Sequence, residues 1–242
     1  MMNDRIGVFD SGIGGLSILN ELKTVLPHEN FLYYGDSKNC PYGEKSDEEL
    51  MKITRNIVKY LKSEGCKLIV IACNTATTRC MKKLRSEFPE LIFVGCVPAI
   101  KMASDQNFKN TLVMATPATI ESERTHELVR DNIREDQNIY LVPCFGLASA
   151  IEREEKQEVK NILQNIFFEY KDKNIDSIVL GCTHYPFIKK EILEEMPGVT
   201  LLDGSRGVAN EVKRQLTTHG LLNESDIQGD VKIINSKDSN IL

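Results

Sequence analysis

The fold class predicted for this 242-residue chain is α/β, with two pseudo-symmetric lobes that each contain a mainly parallel sheet. Strand-like apolar runs alternate with helical patterns, as in parallel sheets that helices cover. The order strand, helix, strand, loop, long helix and cysteine-ending strand occurs twice, with Cys73 and Cys182 in equivalent places. A composition of 41% hydrophobic and 27% charged residues is typical of a globular protein, and the length suffices for two cores.

The first half is predicted to contain four strands with helices between them. A glycine-rich turn follows the first strand and leads to a helix with leucines at helical spacing, which ends near Pro27. Ser46 and Glu49 form a capping box at the start of a long amphipathic helix, and Gly65 is suited to end it. The predicted strands are 5–10, 30–36, 67–73 and 91–97.

The second half repeats this scheme. Residues 110–122 are predicted to form a strand that leads through a turn into a helix. Residues 156–173 are predicted to form a helix whose apolar side chains share one face. The further strands are predicted at 138–144, 177–182 and 200–205.

The two halves predict two domains. The first α/β lobe is expected to comprise residues 1–97 together with 206–242, because the helix in RGVANEVKRQLTTHG is expected to pack on the first sheet. The second α/β lobe is expected to comprise residues 98–205. Ligands of open parallel sheets bind at the carboxyl ends of the strands. The active site is therefore expected in the cleft between the lobes.

Composition and charge exclude several classes of partner. No apolar run approaches the roughly 20 residues that a membrane span needs. The N-terminal stretch MMNDRIGVFDSG has no apolar signal-peptide core, so we expect a cytoplasmic protein. A net charge of −5 disfavours binding to nucleic acid or to an anionic membrane. We therefore expect neither nucleic-acid nor membrane partners.

Seven cysteines are present, and their number is odd. Without a secretion signal or a C-x-x-C motif, neither a disulfide framework nor a structural metal site is expected. Cys66, Cys80 and Cys96 are predicted to be buried small side chains. Cys40 and Cys144 have no role that the sequence supports.

Cys73 and Cys182 carry the chemical argument. Each ends a strand before a predicted helix N-terminus, where unpaired N–H groups and the helix dipole stabilise a thiolate. If two lobes present them to one ligand, a thiolate on one side removes a proton from carbon and a thiol on the other side returns one. The competing interpretation is two structural thiols. The residues that follow the cysteines add donors suited to a carboxylate: Asn74, Thr75, Thr183 and His184.

Asp10 ends the first strand within FDSGIGG. Its carboxylate is suited to accept a proton from a substrate ammonium or to orient a neighbouring thiol, and the competing interpretation is an N-cap or turn aspartate. The turn lacks the lysine of a phosphate-binding loop. We expect its N–H groups to form a cradle for a carboxylate instead.

Three further groups of residues are candidates. Pro41, Tyr42 and Gly43 lie in a loop, where ligand contacts are common. Thr116 and Thr119 follow a strand and offer hydroxyls, with helix capping as the competing account.

The third group lies in the second half. His184 is close enough to Cys182 to hold or deliver its proton. Glu152 precedes the long helix of this half, and it either pairs with His184 or is an exposed glutamate at a helix start.

Together these residues resemble the glutamate racemases of the aspartate/glutamate racemase superfamily. The motifs that carry the resemblance are GVFDSGIGGLS, YYGDSKNCPYGEKS, VIACNTATT, VPAI, TPATIES and VLGCTHYPF. Thr-His after the second cysteine is the glutamate-type ending, whereas aspartate racemases of the superfamily usually carry Thr-Glu. The tail VKIINSKDSNIL matches no motif of the family.

The resemblance implies roles for individual residues and an activity without a cofactor. Cys73 and Cys182 would be the proton donors and acceptors, assisted by Asp10 and His184, and Glu152 would support His184. The family's enzymes supply D-glutamate for peptidoglycan, and thus for cell wall biogenesis and cell shape, and are commonly homodimers. The residues implied to bind glutamate are Asp10, Ser11, Tyr42, Gly43, Asn74, Thr75, Thr183 and His184.

Three alternatives to glutamate racemisation remain at this point. The same chemistry on aspartate or another small amino acid depends on pocket size, which the sequence does not give. A related lyase or isomerase is a second alternative, although decarboxylase members use a single cysteine. A two-lobed amino-acid-binding protein without catalysis is the third, and it would need neither thiol.

Overall fold

The computed structural model describes residues 5–238. The parts of the domain prediction and of the tail motif that concern residues 1–4 and 239–242 therefore lie outside the described residues. The strands are β1 (Arg5–Asp10), β2 (Asn30–Gly35), β3 (Leu68–Ile71), β4 (Ile92–Gly95), β5 (Asn110–Ala115), β6 (Asn138–Pro143), β7 (Ser177–Leu180), β8 (Thr200–Leu202) and β9 (Val231–Asn235).

Helices connect most of these strands, and none of those in residues 5–238 is long and apolar enough to cross a membrane. The helices are α1 (Leu16–Val25), α2 (Asp47–Ser63), α3 (Asn74–Glu87), α4 (Ile100–Asp105), α5 (Pro117–Ile120), α6 (Glu123–Asn132), α7 (Leu147–Glu152), α8 (Lys156–Tyr170), α9 (Lys189–Glu195) and α10 (Ser205–Thr218).

The chain divides into two compact units, each with its own sheet. One unit contains the residues up to Cys96 together with those from Ser205 onward, and the other is Val97–Gly204. All strand pairs in both sheets are parallel. The predicted α/β class with two parallel-sheet lobes is confirmed, while the location of the active site in a cleft between them stays a prediction.

The two sheets have the same internal order. The sheet of the first unit runs β4-β3-β1-β2-β9, and that of the second runs β8-β7-β5-β6. In both, the four strands of the repeat lie in the order fourth, third, first, second. Within residues 5–238, only the first sheet carries an additional strand, β9, at the edge beside β2.

The registers of the two sheets place the cysteines in equivalent positions. Phe9 pairs with Ile71 in the first sheet, and Met114 pairs with Leu180 in the second. Each cysteine lies two residues beyond the second member of its pair. Continuing the register by two residues sets Cys73 opposite Ser11 and Cys182 opposite Thr116. In this extended register each cysteine thus faces a hydroxyl residue one position beyond the end of the adjacent strand.

Buried apolar strands and amphipathic helices build each unit. Every residue of β3 and of β7 is buried, as parallel strands with both faces covered require. In the first unit, Leu19 and Leu22 of α1 share a core with Val212 and Leu216 of α10. The helix from the C-terminal part of the chain therefore completes one layer of the first unit.

The predicted limits of α2 are confirmed. Ser46 Oγ accepts a hydrogen bond from the Glu49 N–H at 3.2 Å, which satisfies one of the free donors of the first turn. Gly65 follows the helix at φ +72°, a conformation that favours glycine. The N–H groups of Gly65 and Cys66 bond to the carbonyls of Lys62 and Leu61 and close the last turn.

Two features of the sheets differ from the prediction. Several strands are shorter than expected; β3 ends at Ile71 because Cys73 already serves as the N-cap of α3. The strand β9 was not predicted. Its sequence VKIIN lies at an edge with Ile233 exposed, so it lacks the alternation of a half-buried strand.

A buried ion pair lies at the amino end of the first sheet. Lys67 Nζ lies 2.7 Å from a carboxylate oxygen of Glu29, and the two side chains are 9% and 1% exposed. Lys67 also donates to the Leu221 carbonyl at 2.8 Å, and Glu29 accepts from the Asn223 N–H at 2.8 Å. The pair thus joins the starts of β2 and β3 to the segment that follows α10.

We predict that Lys67→Met lowers the free energy of unfolding by about 3 kcal/mol, because it leaves the Glu29 carboxylate buried without its cation. Urea unfolding followed by far-ultraviolet circular dichroism measures the change. Lys62→Met is the matched control, since Lys62 and Glu90 form a half-exposed surface pair. We expect it to cost less than about 1 kcal/mol. Equal costs for the two variants would contradict the prediction.

Candidate active site

Cys73 lies at the carboxyl end of the first sheet, at the start of α3. It is the N-cap residue of this 14-residue helix, where the unpaired N–H groups of the first turn favour an anion. Its thiol is buried and lies 3.9 Å from Ser11 Oγ. Asn74 and Thr75 are the first helical residues, and both are buried. The structure brings these four residues together.

Cys182 differs from Cys73 in its backbone surroundings. A short 3₁₀ helix (Tyr185–Ile188) follows it, and the α-helix α9 begins only at Lys189. The prediction that a regular helix starts directly after this cysteine is therefore wrong. Pro186 lies in the first turn of this 3₁₀ helix.

Cys182 has an imidazole and a carboxylate nearby instead of an α-helix N-terminus. The Cys182 Sγ atom lies 3.7 Å from His184 Nδ1, and His184 Nε2 lies 2.7 Å from Glu152 Oε2. The His184 and Glu152 side chains are only 2% and 8% exposed. The exposed-glutamate interpretation of Glu152 is therefore wrong. A thiol, an imidazole and a carboxylate in this order form a path for moving or stabilising a proton.

The Asp10 carboxylate organises the glycine-rich turn that follows it. Its Oδ2 atom accepts hydrogen bonds from the N–H groups of Gly12 and Gly15, at 3.1 and 3.0 Å. The predicted cradle for a substrate carboxylate is therefore wrong for these two N–H groups, because the chain's own carboxylate occupies them. A Cβ atom on Gly15 would lie 2.6 Å from the Asp10 Cβ, so the turn requires glycine there.

The side chain of Tyr42 points into the core of the first unit. It is 1% exposed, and its hydroxyl donates to Asp36 Oδ2 at 2.7 Å. Burial, followed by the charge of Asp36, raises the pKa of Tyr42 well above its usual value. Tyr42 is therefore suited to contact a ligand through its main chain and not through its side chain.

Thr116 and Thr119 lie together in the second unit. Thr116 is the N-cap residue of α5, and its hydroxyl lies 3.0 Å from that of Thr119. Thr119 is fully buried, whereas Thr116 is partly exposed. Thr183, next to Cys182, is also buried. Of these three residues, Thr116 has the most accessible side chain.

The sequence pattern of Asp/Glu/Hydantoin racemases matches residues 16–212. The chain belongs to this family. It is thus an isomerase of the racemase type, and the resemblance found in its motifs is confirmed. A glutamate racemase of Clostridium acetobutylicum is 42% identical over 244 residues, which cover 99% of this chain and 95% of that protein.

Solved racemase structures share the fold. A glutamate racemase isoform from Bacillus anthracis matches with a TM-score of 0.84 at 28% identity, over 97% of this chain and 89% of that one. A glutamate racemase from Francisella tularensis, in complex with D-glutamate, matches with a TM-score of 0.81 at 31% identity, with the same coverage of both chains. This racemase therefore has close counterparts over nearly its whole length.

Two polar contacts of this racemase were missed at the sequence level. Asp36 is buried and binds Tyr42; it directly follows β2, much as Asp10 ends β1, and this strand-end place is a signal that could have revealed it. Cys96 is buried as predicted, but its thiol also lies 3.1 Å from Asn74 Oδ1. Nothing in the sequence around Cys96 indicates this contact, because it joins β4 to α3 through the fold.

Two other buried thiols of the racemase, Cys66 and Cys144, are poor nucleophiles. Burial raises the pKa of Cys144 to about 12, and it does the same for Cys66. Cys144 belongs to the same core cluster as Cys182 and Tyr185, and the pKa of Tyr185 is likewise raised well above its usual value by burial. Cys144 is thus a neutral neighbour of Cys182 at ordinary pH.

We predict that Cys66 and Cys144 resist iodoacetamide in the folded racemase at pH 8. A thiol with a pKa near 12 is roughly one part in ten thousand thiolate there, against about a quarter for a free cysteine. Peptide mass spectrometry after timed labelling measures the reaction, which should accelerate as the pH is raised toward 12. All seven cysteines should react in urea, which serves as the control. Equal labelling of Cys144 in folded and unfolded chain would contradict the prediction.

Proposed function

We propose that this racemase interconverts L- and D-glutamate by direct proton transfer at the α-carbon, with Cys73 and Cys182 as the two bases and no cofactor. The observation that carries the proposal is the equivalent placement of the two buried cysteines, each two residues beyond the paired end of its strand. Inversion at carbon needs one group to remove a proton and another to return one on the opposite face. Two thiols of similar acidity meet that need.

Cys73 and its neighbours would serve one face of the substrate. The first turn of α3 stabilises a thiolate at its N-cap, and the Ser11 hydroxyl lies within hydrogen-bonding distance of the sulfur. Asp10 assists from the adjacent strand end, where two backbone N–H groups fix its carboxylate. In this proposal Asp10 favours the protonated state of the substrate's ammonium group or orients Cys73.

Cys182, His184 and Glu152 would serve the other face. His184 accepts the thiol proton when Cys182 acts as a base, and it supplies that proton when Cys182 acts as an acid. Glu152 fixes the imidazole and stabilises its cationic form through the 2.7 Å contact. The second base thus relies on a charged side-chain pair, whereas the first relies on a helix N-terminus.

Polar groups around both cysteines would bind the substrate. Main-chain N–H groups at the start of α3 suit a carboxylate, and fixed donors of this kind stabilise negative charge that develops in the transition state. Tyr42 would contribute through its main chain. The residues proposed to bind glutamate are Asp10, Ser11, Pro41, Tyr42, Gly43, Asn74, Thr75, Thr116, Thr119, Thr183 and His184.

Glutamate is proposed as the substrate on two grounds. Thr183-His184 is the glutamate-type ending of the second cysteine motif. The Clostridium acetobutylicum relative, 42% identical, is named a glutamate racemase, and the Francisella tularensis structure holds D-glutamate. We further propose that the protein acts in the cytoplasm as a homodimer and supplies D-glutamate for peptidoglycan, and hence for cell wall biogenesis and cell shape.

Proton exchange in D₂O tests the function directly. We predict that the purified protein, without added cofactor, removes the α-proton signal of both L- and D-glutamate in proton NMR. Cys73→Ala and Cys182→Ala should each lower racemisation by about 10²–10⁴-fold, because each removes one of the two proton-transfer groups. Cys80→Ala is the matched control, since Cys80 is another buried thiol of the chain.

The other outcomes separate the alternatives. Exchange with aspartate alone would keep the mechanism and overturn the substrate. Absence of exchange with glutamate and aspartate, in a folded protein that binds glutamate, would favour the non-catalytic binding protein. Full activity in either cysteine variant would refute the two-base mechanism.

A second prediction concerns Glu152. Glu152→Gln should lower kcat by roughly tenfold to a hundredfold, less than the loss of a proton-transfer group, and should shift the pH profile of kcat, because an amide cannot stabilise the imidazolium of His184. Steady-state kinetics in both directions measure the effect. Glu155→Gln is the control, since Glu155 is exposed and pairs with Arg153. An unchanged pH profile in Glu152→Gln would argue against this role.

A further inference from the structure

The C-terminal strand ends beside the candidate binding loop. β9 lies parallel to β2, and the last residue of each, Asn235 and Gly35, form a pair. The chain that leaves β2 continues through Asp36 into the loop that carries Pro41–Gly43. The chain that leaves β9 continues into Ser236. Residues 231–236 of the tail that matches no family motif therefore reach the loop of the candidate site within the fold of the first unit.

Ser236 forms two hydrogen bonds to the start of this loop, one on each side of Asp36 in the sequence. Its N–H donates to the Gly35 carbonyl at 2.9 Å, and its Oγ accepts from the Lys38 N–H at 2.9 Å. The neighbouring Asn235 donates from Nδ2 to Ser37 Oγ at 3.2 Å. Ser236 is only 5% exposed, so water does not readily replace these bonds.

Asp36 connects Ser236 to Tyr42. The Asp36 carboxylate accepts from the Tyr42 hydroxyl at 2.7 Å and from Asn39 Nδ2 at 3.0 Å. Burial raises the pKa of Asp36, and the side chains of Tyr42, Asn39 and Ser236 oppose that shift. A buried carboxylate of this kind depends on its donors for a fixed position. Loss of the Ser236 hydroxyl would therefore change the position of Asp36 and, through it, that of Tyr42.

The far end of the loop has a separate anchor. Arg79 of α3 donates to the Lys45 carbonyl at 2.9 Å and pairs with Asp47. The helix that begins after Cys73 thus holds the end of the loop. Within the segment between these anchors, Ser236 bonds to Lys38, and Asp36 bonds to Asn39 and Tyr42.

We propose that Ser236 is a positioning residue for the racemase reaction: it fixes Asp36 and Lys38, and through them sets the main chain of Tyr42 and Gly43 for substrate. The inference rests on the proposed function, in which that main chain binds glutamate. Because this segment holds substrate and transition state alike, its displacement raises KM more than it changes kcat.

Kinetics of three variants test the proposal. Ser236→Ala should raise the KM for both enantiomers of glutamate by about three- to tenfold, the value of one buried hydrogen bond. Ser236→Thr, which keeps a hydroxyl, should restore most of the affinity. Ser104→Ala is the matched control, because Ser104 is also buried and bonds to Asn132 and Gln137 in the second unit. We expect it to leave KM unchanged.

An unchanged KM in Ser236→Ala, or an equal rise in Ser104→Ala, would overturn the proposal. If the wild-type protein does not racemise glutamate, the proposed function is refuted, but the positioning role can still be tested by a second measurement. In ¹⁵N-labelled protein, the amide signals of Lys38, Tyr42 and Gly43 should shift in Ser236→Ala and not in Ser104→Ala. Unmoved signals at these three residues would overturn the positioning role by itself.

Discussion

The pairing of the first and third strands of each sheet is the constraint on which the candidate site depends. The parallel registers of β1 with β3 and of β5 with β7 fix the point at which the polypeptide leaves each sheet. Backbone hydrogen bonds between buried apolar strands hold these registers. Cys73 and Cys182 take their positions from these registers. A slip of one residue would turn each cysteine to the other face of its sheet.

The same architecture supports two different chemical surroundings. Cys73 is an N-cap residue, so the helix α3 provides it with a positive end. Cys182 precedes a proline-containing 3₁₀ turn and has His184 and Glu152 as polar neighbours instead. The two units therefore share their backbone topology, but different groups lie next to the two thiols.

Buried carboxylates lie at both ends of β2, and the C-terminal part of the chain contacts each of them. At the amino end, the Asn223 N–H donates to Glu29, which is paired with Lys67. At the carboxyl end, the Ser236 hydroxyl is close enough to Asp36 to lower the pKa of its carboxyl group. Burial of such groups is favourable only when donors surround them. The segment after α10 is thus part of the first unit's polar framework as well as of its apolar core.

The sequence by itself determined the fold class, the order of β1 to β8 along the chain and the strand-end positions of the two cysteines, because apolar periodicity and strand-end motifs are local signals. It also identified Glu152 and His184, but only the tertiary structure decided that they are in contact. Asp10 was recognised, yet its bonds to Gly12 and Gly15 depend on how the turn closes. The contacts of Cys96 and Ser236 join segments that are distant in sequence, and no local pattern encodes them. Long-range pairing is a property of the folded chain, so it became visible only there.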